Sequence, residues 1–196
     1  MDARSTSLLI QKIRAIHPVS DSSISLLLGN MKRIQLRKND WLLREGQVCK
    51  EVFYVNQGLV KTYFNKDGKD INLRFTMENN FLTNLRSLRS GEPTDINMRA
   101  MEAGEIFSID KNCLLDLYQT ANDIAQFGRS LLELLLAEQE DLNNMFRLQT
   151  PAERYRHIEK HHPDILQRVS QTQLASWLGL SRETLSRIRK QRPPVL

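Results

Sequence analysis

Apolar residues along this chain change their spacing several times, and each change marks a different kind of element. Ser7–Ile16 and Ser22–Met31 carry helical spacing on either side of His17-Pro18. From there to about Asp110 the pattern shortens to alternation in brief runs: RIQL, DWLL, VFYV, LVKTYF, INLRF, INMRA and EIFSI. Five of the eight glycines (46, 58, 68, 91 and 104) punctuate this region, and Asn65-Lys66-Asp67-Gly68 reads as a hairpin turn. Many short strands with turn residues between them predict an antiparallel barrel or jelly roll. Helical spacing then returns in Lys111–Gln119 and in a long proline-free stretch, Asn122–Leu148.

That long helix has a seam in which Ile124, Gly128, Leu131, Leu135, Leu142 and Met145 alternate by four and three, with Glu138 as its charged member. Leu132, Leu134 and Leu136 add a second apolar side. A helix with two apolar sides can touch its own domain and a second copy at once. Leu131, Leu135, Leu142 and Met145 are therefore the expected dimer interface. Thr150-Pro151 ends the stretch, with Pro151 suited to the first turn of the next helix.

The most informative segment is Gln171–Lys190, QTQLASWLGLSRETLSRIRK. Ser170 and Gln173 form a capping-box pattern ahead of a helix carrying Leu174, Trp177 and Leu178. Gly179 breaks that helix, and Ser181 caps a second one. On the second helix Leu185 and Ile188 point toward the first, while Arg182, Glu183, Ser186 and Arg187 point away. This is the layout of a helix-turn-helix whose second helix enters a DNA major groove. Arg can bind guanine O6 and N7 with two bonds, and Glu can accept from cytosine N4. Arg182, Glu183, Ser186, Arg187, Arg189 and Lys190 are the expected DNA-binding residues, with Arg189 and Arg192 assigned to phosphates. The bland alternative is a solvated face in which Glu183 and Arg187 form an i,i+4 pair.

Charge favours the first reading. Residues 147–196 hold 10 Lys and Arg against 4 Asp and Glu, leaving 18 against 19 for residues 1–146. The net charge of +5 thus belongs to the last quarter, as phosphate binding would require. At 196 residues, 40% hydrophobic and 26% charged, the chain has the composition of a globular protein of one or two domains. Two cysteines cannot form a disulfide framework, and no run reaches a membrane span. Lys12 and Arg14 interrupt the apolar start where a secretory signal would need continuity. These features imply a cytoplasmic protein without membrane partners. The residues compose neither a nucleophile–base constellation nor a phosphate loop, so no enzyme is expected.

The order of a β-rich domain, a long helix and a helix-turn-helix resembles the Crp/Fnr superfamily of bacterial transcription regulators. LLREGQVCKEVFYVNQGLVKTYFNKDGK is similar to the first half of a cyclic-nucleotide-binding barrel, and Ser181-Arg182-Glu183-Thr184 with Arg187 and Lys190 is similar to the family's recognition helix. The resemblance implies an α+β chain in three parts: a sensor-like barrel domain at 1–121, a dimerisation helix at 122–148 and a helix-turn-helix at 149–196. It implies a homodimer reading a palindromic site in double-stranded DNA, with RNA polymerase as a further partner. Few residues follow Lys190, so a β-hairpin wing is expected to be reduced or absent.

The resemblance departs from the family at the ligand cradle. Cyclic-AMP-binding members carry a Gly-Glu pair before a short helix and an Arg-Ser pair about ten residues later. Thr83-Asn84 and Thr94-Asp95 stand at those places here. Without the bidentate Arg, a phosphodiester loses a charge-assisted pair worth roughly 1.5–3 kcal/mol. Gln139 and Glu140 stand where that branch holds the base with small hydroxyl residues. Thr83, Asn84, Leu85, Arg86, Thr94, Asp95, Gln139 and Glu140 are the pocket candidates. Cyclic AMP is not expected to bind, and no metal or other cofactor is implied. A sensor of another small anion or nucleotide, or a protein-interaction module, remain as alternatives.

Overall fold

The computed structural model describes residues 3–190. Helices α1 (Ala3–Ile16) and α2 (Asp21–Gly29) precede eight strands: β1 (Lys32–Leu36), β2 (Trp41–Leu43), β3 (Glu51–Gln57), β4 (Val60–Lys66), β5 (Lys69–Thr76), β6 (Asn80–Leu82), β7 (Ile96–Ala100) and β8 (Gly104–Asp110). A short helix α3 (Leu85–Ser90) sits between β6 and β7, and α4 (Lys111–Thr120) and α5 (Asn122–Leu148) follow β8. The chain then continues in α6 (Pro151–His161), α7 (Pro163–Arg168), α8 (Gln171–Trp177) and α9 (Arg182–Lys190).

The strands form two four-stranded sheets, β1-β8-β3-β6 and β2-β7-β4-β5. The α+β, double-sheet architecture is the one expected, as a jelly-roll-like pair of open sheets and not a closed barrel. One cluster of buried side chains includes Leu36, Leu43, Phe53, Val55, Val60, Met98 and Ile106 from strands of both sheets. A second joins the strand residues Tyr54, Phe81 and Phe107 to Leu9, Ile13, Leu27, Leu117, Ile124 and Phe127 of the helices. This split follows from strand alternation, because successive residues face opposite sides. Gly104 is required by close approach: a Cβ there would lie 2.2 Å from the carbonyl oxygen of Gln57.

The chain divides into two compact units, residues 1–62 with 75–135 and residues 63–74 with 136–196. The second therefore joins the distal part of the β4–β5 hairpin to the C-terminal helices. Asn72 N–H donates to Ser176 Oγ at 3.0 Å, and its Nδ2 donates to the Gln173 carbonyl at 3.1 Å. Trp177 Nε1 donates to the Leu73 carbonyl at 3.2 Å. The hairpin thereby holds α8 by its side chains as well as by its backbone. Sequence patterning did not anticipate α7. Pro163 at its first position and buried Ile165 give it a start and an inward anchor.

Candidate functional site

The C-terminal unit builds its exposed surface on a small apolar interior. Tyr155, Ile158, Ile165, Leu174, Trp177, Leu178 and Leu185 are all buried. The capping box is present at α8, with Ser170 Oγ accepting from Gln173 N–H and Gln173 Oε1 accepting from Ser170 N–H. Gly179 takes φ 67°, and the following Leu180 N–H reaches back to the Ala175 carbonyl at 2.8 Å. This left-handed closure lets the chain reverse within a few residues. Ser181 Oγ then accepts from Thr184 N–H at 3.1 Å and starts α9.

On α9 Leu185 is 0% exposed, which fixes the rotation of the helix. Arg182, Glu183, Arg187, Arg189 and Lys190 are exposed, and Ser186 and Ile188 are half-buried. Among the described residues none of these four cations forms an ion pair. The Glu183 carboxyl is held below its usual range, chiefly by its own backbone N–H, then by the Ser181 hydroxyl and by Arg182 and Arg187. It remains an anion throughout the physiological range. Arg192 and the expectation about a wing lie outside the described residues.

At the other candidate site Asn84, Arg86, Thr94 and Asp95 line one cleft, with a different outcome. Thr83 and Asn84 precede α3, and Asn84 caps it by accepting from Ser87 N–H at 3.0 Å. Asn84 Nδ2 donates to Thr94 Oγ1 at 2.6 Å, and Ile96 N–H donates to the same oxygen at 3.1 Å. Ser87, which the sequence reading passed over, accepts from Cys49 N–H and donates to the Glu92 carbonyl at 2.6 Å. Thr83 Oγ1 donates to the Glu51 carbonyl at 2.8 Å, and Leu85 packs on the helix-side apolar cluster. A cleft of about 120 Å³ lies alongside, lined by Asn84, Arg86, Ser87, Ser90, Glu92, Pro93, Thr94 and Asp95. Arg86 and Asp95 are exposed. Gln139 and Glu140 are exposed on α5 in the second unit, where Gln139 Nε2 donates to Asn143 Oδ1 at 3.3 Å.

The seam on α5 is divided as well. Leu131 and Leu135 are 7% and 8% exposed and belong to the helix-side core of their own unit. Met145 is buried and Leu142 half-buried. Leu132 and Leu136, four residues apart, are 43% and 55% exposed. Among the described residues no helix is long and apolar enough to cross a membrane.

Comparison with known proteins adds four findings. Residues 33–121 match the cyclic nucleotide-binding domain family. The anaerobic regulatory protein of Bacillus subtilis is 26% identical over 97 residues, covering 49% of this chain and 41% of that relative's length. Among solved structures, the c-di-GMP-responsive global regulator of Xanthomonas campestris superposes with a TM-score of 0.69 at 20% identity, covering 88% of this chain and 91% of that one. A protein from Eubacterium rectale described as a transcriptional regulator of the crp/fnr family gives 0.67 at 14% identity, covering 88% and 82%.

Proposed function

We propose, from a chain whose residues 33–121 match the cyclic nucleotide-binding domain family and whose fold is that of Crp/Fnr regulators, that this protein is a homodimeric DNA-binding transcription regulator. The observation that carries the reading is α9. Its first two turns put Arg182, Glu183 and Arg187 in solvent with Leu185 locked on the opposite side. That placement is what insertion into a major groove requires. Selection from random duplexes tests it. The expected product is a palindrome with half-site centres about 10–10.5 base pairs, or a multiple, apart. Recovery of no motif would refute the reading.

The second copy would dock on α5 through Leu132 and Leu136. Leu131 and Leu135 pack in the core of their own unit, and the exposure of Leu132 and Leu136 supports a contact one position along from the expected seam. Changing Leu132 and Leu136 to Asp should yield monomers by light scattering, with the thermal transition retained. A wild-type mass of 22.8 kDa at micromolar concentration would remove the dimer from the proposal.

The cradle supports regulation without a cyclic nucleotide. Asn84 and Thr94 satisfy one another and the local backbone, and the cleft is small beside the roughly 300–1,000 Å³ of small-molecule sites. Glu92 and Asp95 on its wall outnumber its one cation, Arg86, and oppose an anion. Calorimetric titration with cyclic AMP and cyclic GMP should show no micromolar binding.

A further inference from the structure

Three of the four histidines meet at the joint between α6 and α7, in the C-terminal unit. His157 and His161 stand one turn apart on α6, and their rings lie with centroids 4.6 Å apart at 37°. The His162 ring lies 6.5 Å from that of His157. His162 itself ends α6 and starts α7. Its N–H donates to the Ile158 carbonyl at 2.8 Å, and its carbonyl accepts from Ile165 N–H at 3.1 Å. His157 and His162 are half-buried, and His161 is exposed. Ile158 and Ile165 are buried, as is Leu185 of α9 in the same unit.

The charges acting on the rings are Lys160 of α6 and Asp141 and Glu138 of α5, with Glu138 paired to Arg74 of β5. Asp164 is exposed in the first turn of α7. Burial, then His161 and Lys160, hold the His157 pKa below its ordinary value against the pull of Asp141. Burial, then His157 and His161, do the same to His162 against Glu138. Protonation gives each imidazole a full charge. Two such charges at stacking distance repel, and partial burial removes water that would screen them. The unfolded chain meets neither penalty, so it takes up protons first as pH falls through about 6.5, the ordinary histidine value. Stability tied to the cluster is therefore full above that value and is lost below it. Glu183 stays ionised over this range and adds nothing to the loss.

We infer that the His157–His161–His162 cluster is an acid-sensitive joint, whose protonation separates α6 from α7 and withdraws the support of the helix-turn-helix. The ligand is the proton. Among the described residues no group of three or more His, Cys, Asp and Glu is placed to hold a metal ion. The consequence for DNA rests on the regulator reading above, because release follows only if α9 is what binds. The consequence for the fold does not.

The test compares the full chain at about pH 7.5 and about pH 5.5, either side of the histidine value, with a chelator present. Hydrogen exchange, corrected for its intrinsic pH dependence, reads the amides of α6, α7 and α8, with the paired strands β3 and β8 as internal control. Wild-type protection in the three helices should fall several-fold at the lower pH while the strands keep theirs. His157→Gln/His162→Gln, which leaves only the exposed imidazole of the three, should lose this difference. Asp141→Asn removes an offsetting carboxylate from the surface of α5 and should enlarge it. No loss in the wild type, or an equal loss in the double variant, overturns the inference. Should the double variant fold poorly, Asp141→Asn decides alone, and a loss no larger than that of the wild type overturns the inference. Affinity for the selected duplex should fall with protection in the wild type and hold in the double variant. A rise in affinity at the lower pH that the double variant lacks also overturns the inference, because the protonated rings would then be meeting phosphates. Absence of duplex binding at the higher pH would refute the regulator reading, and the exchange comparison would still decide the joint.

Discussion

Helix α9 and the α3–β7 cradle each bring polar side chains together, yet they differ in what those side chains are free to do. On α9 the cations are exposed and form no ion pair among the described residues, while the apolar side fixes their direction. In the cradle Asn84 uses both ends of its amide, Thr94 accepts twice, and Ser87 both donates and accepts. A site recognises a ligand with hydrogen-bonding capacity that water alone has been serving. A network that has satisfied itself holds a loop in shape and has little left to offer. Two clusters of comparable polarity can therefore differ entirely in function.

The contrast breaks most severely if the support of α9 is removed. Leu185→Ala, at a position with no exposure, should cost about 2–5 kcal/mol of stability in denaturant unfolding and abolish DNA binding with it. Retention of both would mean that α9 is not held as described. A smaller and more specific effect is expected at the surface. Arg182→Ala or Arg187→Ala should cost about 1–3 kcal/mol of DNA affinity and relax preference at one base pair. Arg189→Ala should instead weaken all sequences alike and flatten the salt slope by about one. Smaller again is the cradle's counterpart. Asn84→Ala removes a helix cap and should cost about 1 kcal/mol of thermal stability, leaving the selected DNA motif unaltered. A gain of nucleotide binding in that variant would show that Asn84 blocks a site and does not merely close one.

The two regions were not equally legible in the sequence. The boundaries of α5, the Ser170–Gln173 box and the turn at Gly179 followed from local rules, because caps and apolar spacing act over a few residues. The Asn84–Thr94 contact was legible only through the family's ten-residue spacing, and its closure by Ser87 was not, since Ser87 meets Cys49 from a distant strand connection. The α5 seam shows the same limit. Periodicity grouped Leu131 and Leu135 as one side of the helix but could not tell whether a neighbouring strand or a second chain would cover it. The hairpin's hold on α8 was invisible for a related reason: Asn72 and Ser176 are 104 residues apart.

The finest distinction concerns Glu183. Its carboxylate is drawn toward the start of α9 by its own N–H and the Ser181 hydroxyl, a stabilising place for an anion at a helix N-terminus. Base reading needs the same carboxylate to extend to a cytosine amino group in the groove. Both uses require the ionised form, and its depressed pKa keeps it ionised between about pH 5 and 8, so neither should vary with pH across that range. Glu183→Ala separates them. If the carboxylate reads a base, preference at one position of each half-site should vanish while the rest of the motif persists. If it only caps the helix, the motif should be unchanged and binding slightly tighter, because one negative charge leaves the groove. The proposed role predicts the first outcome. Selection that returns an identical motif for wild type and variant would return Glu183 to the satisfied side of the comparison, beside Asn84.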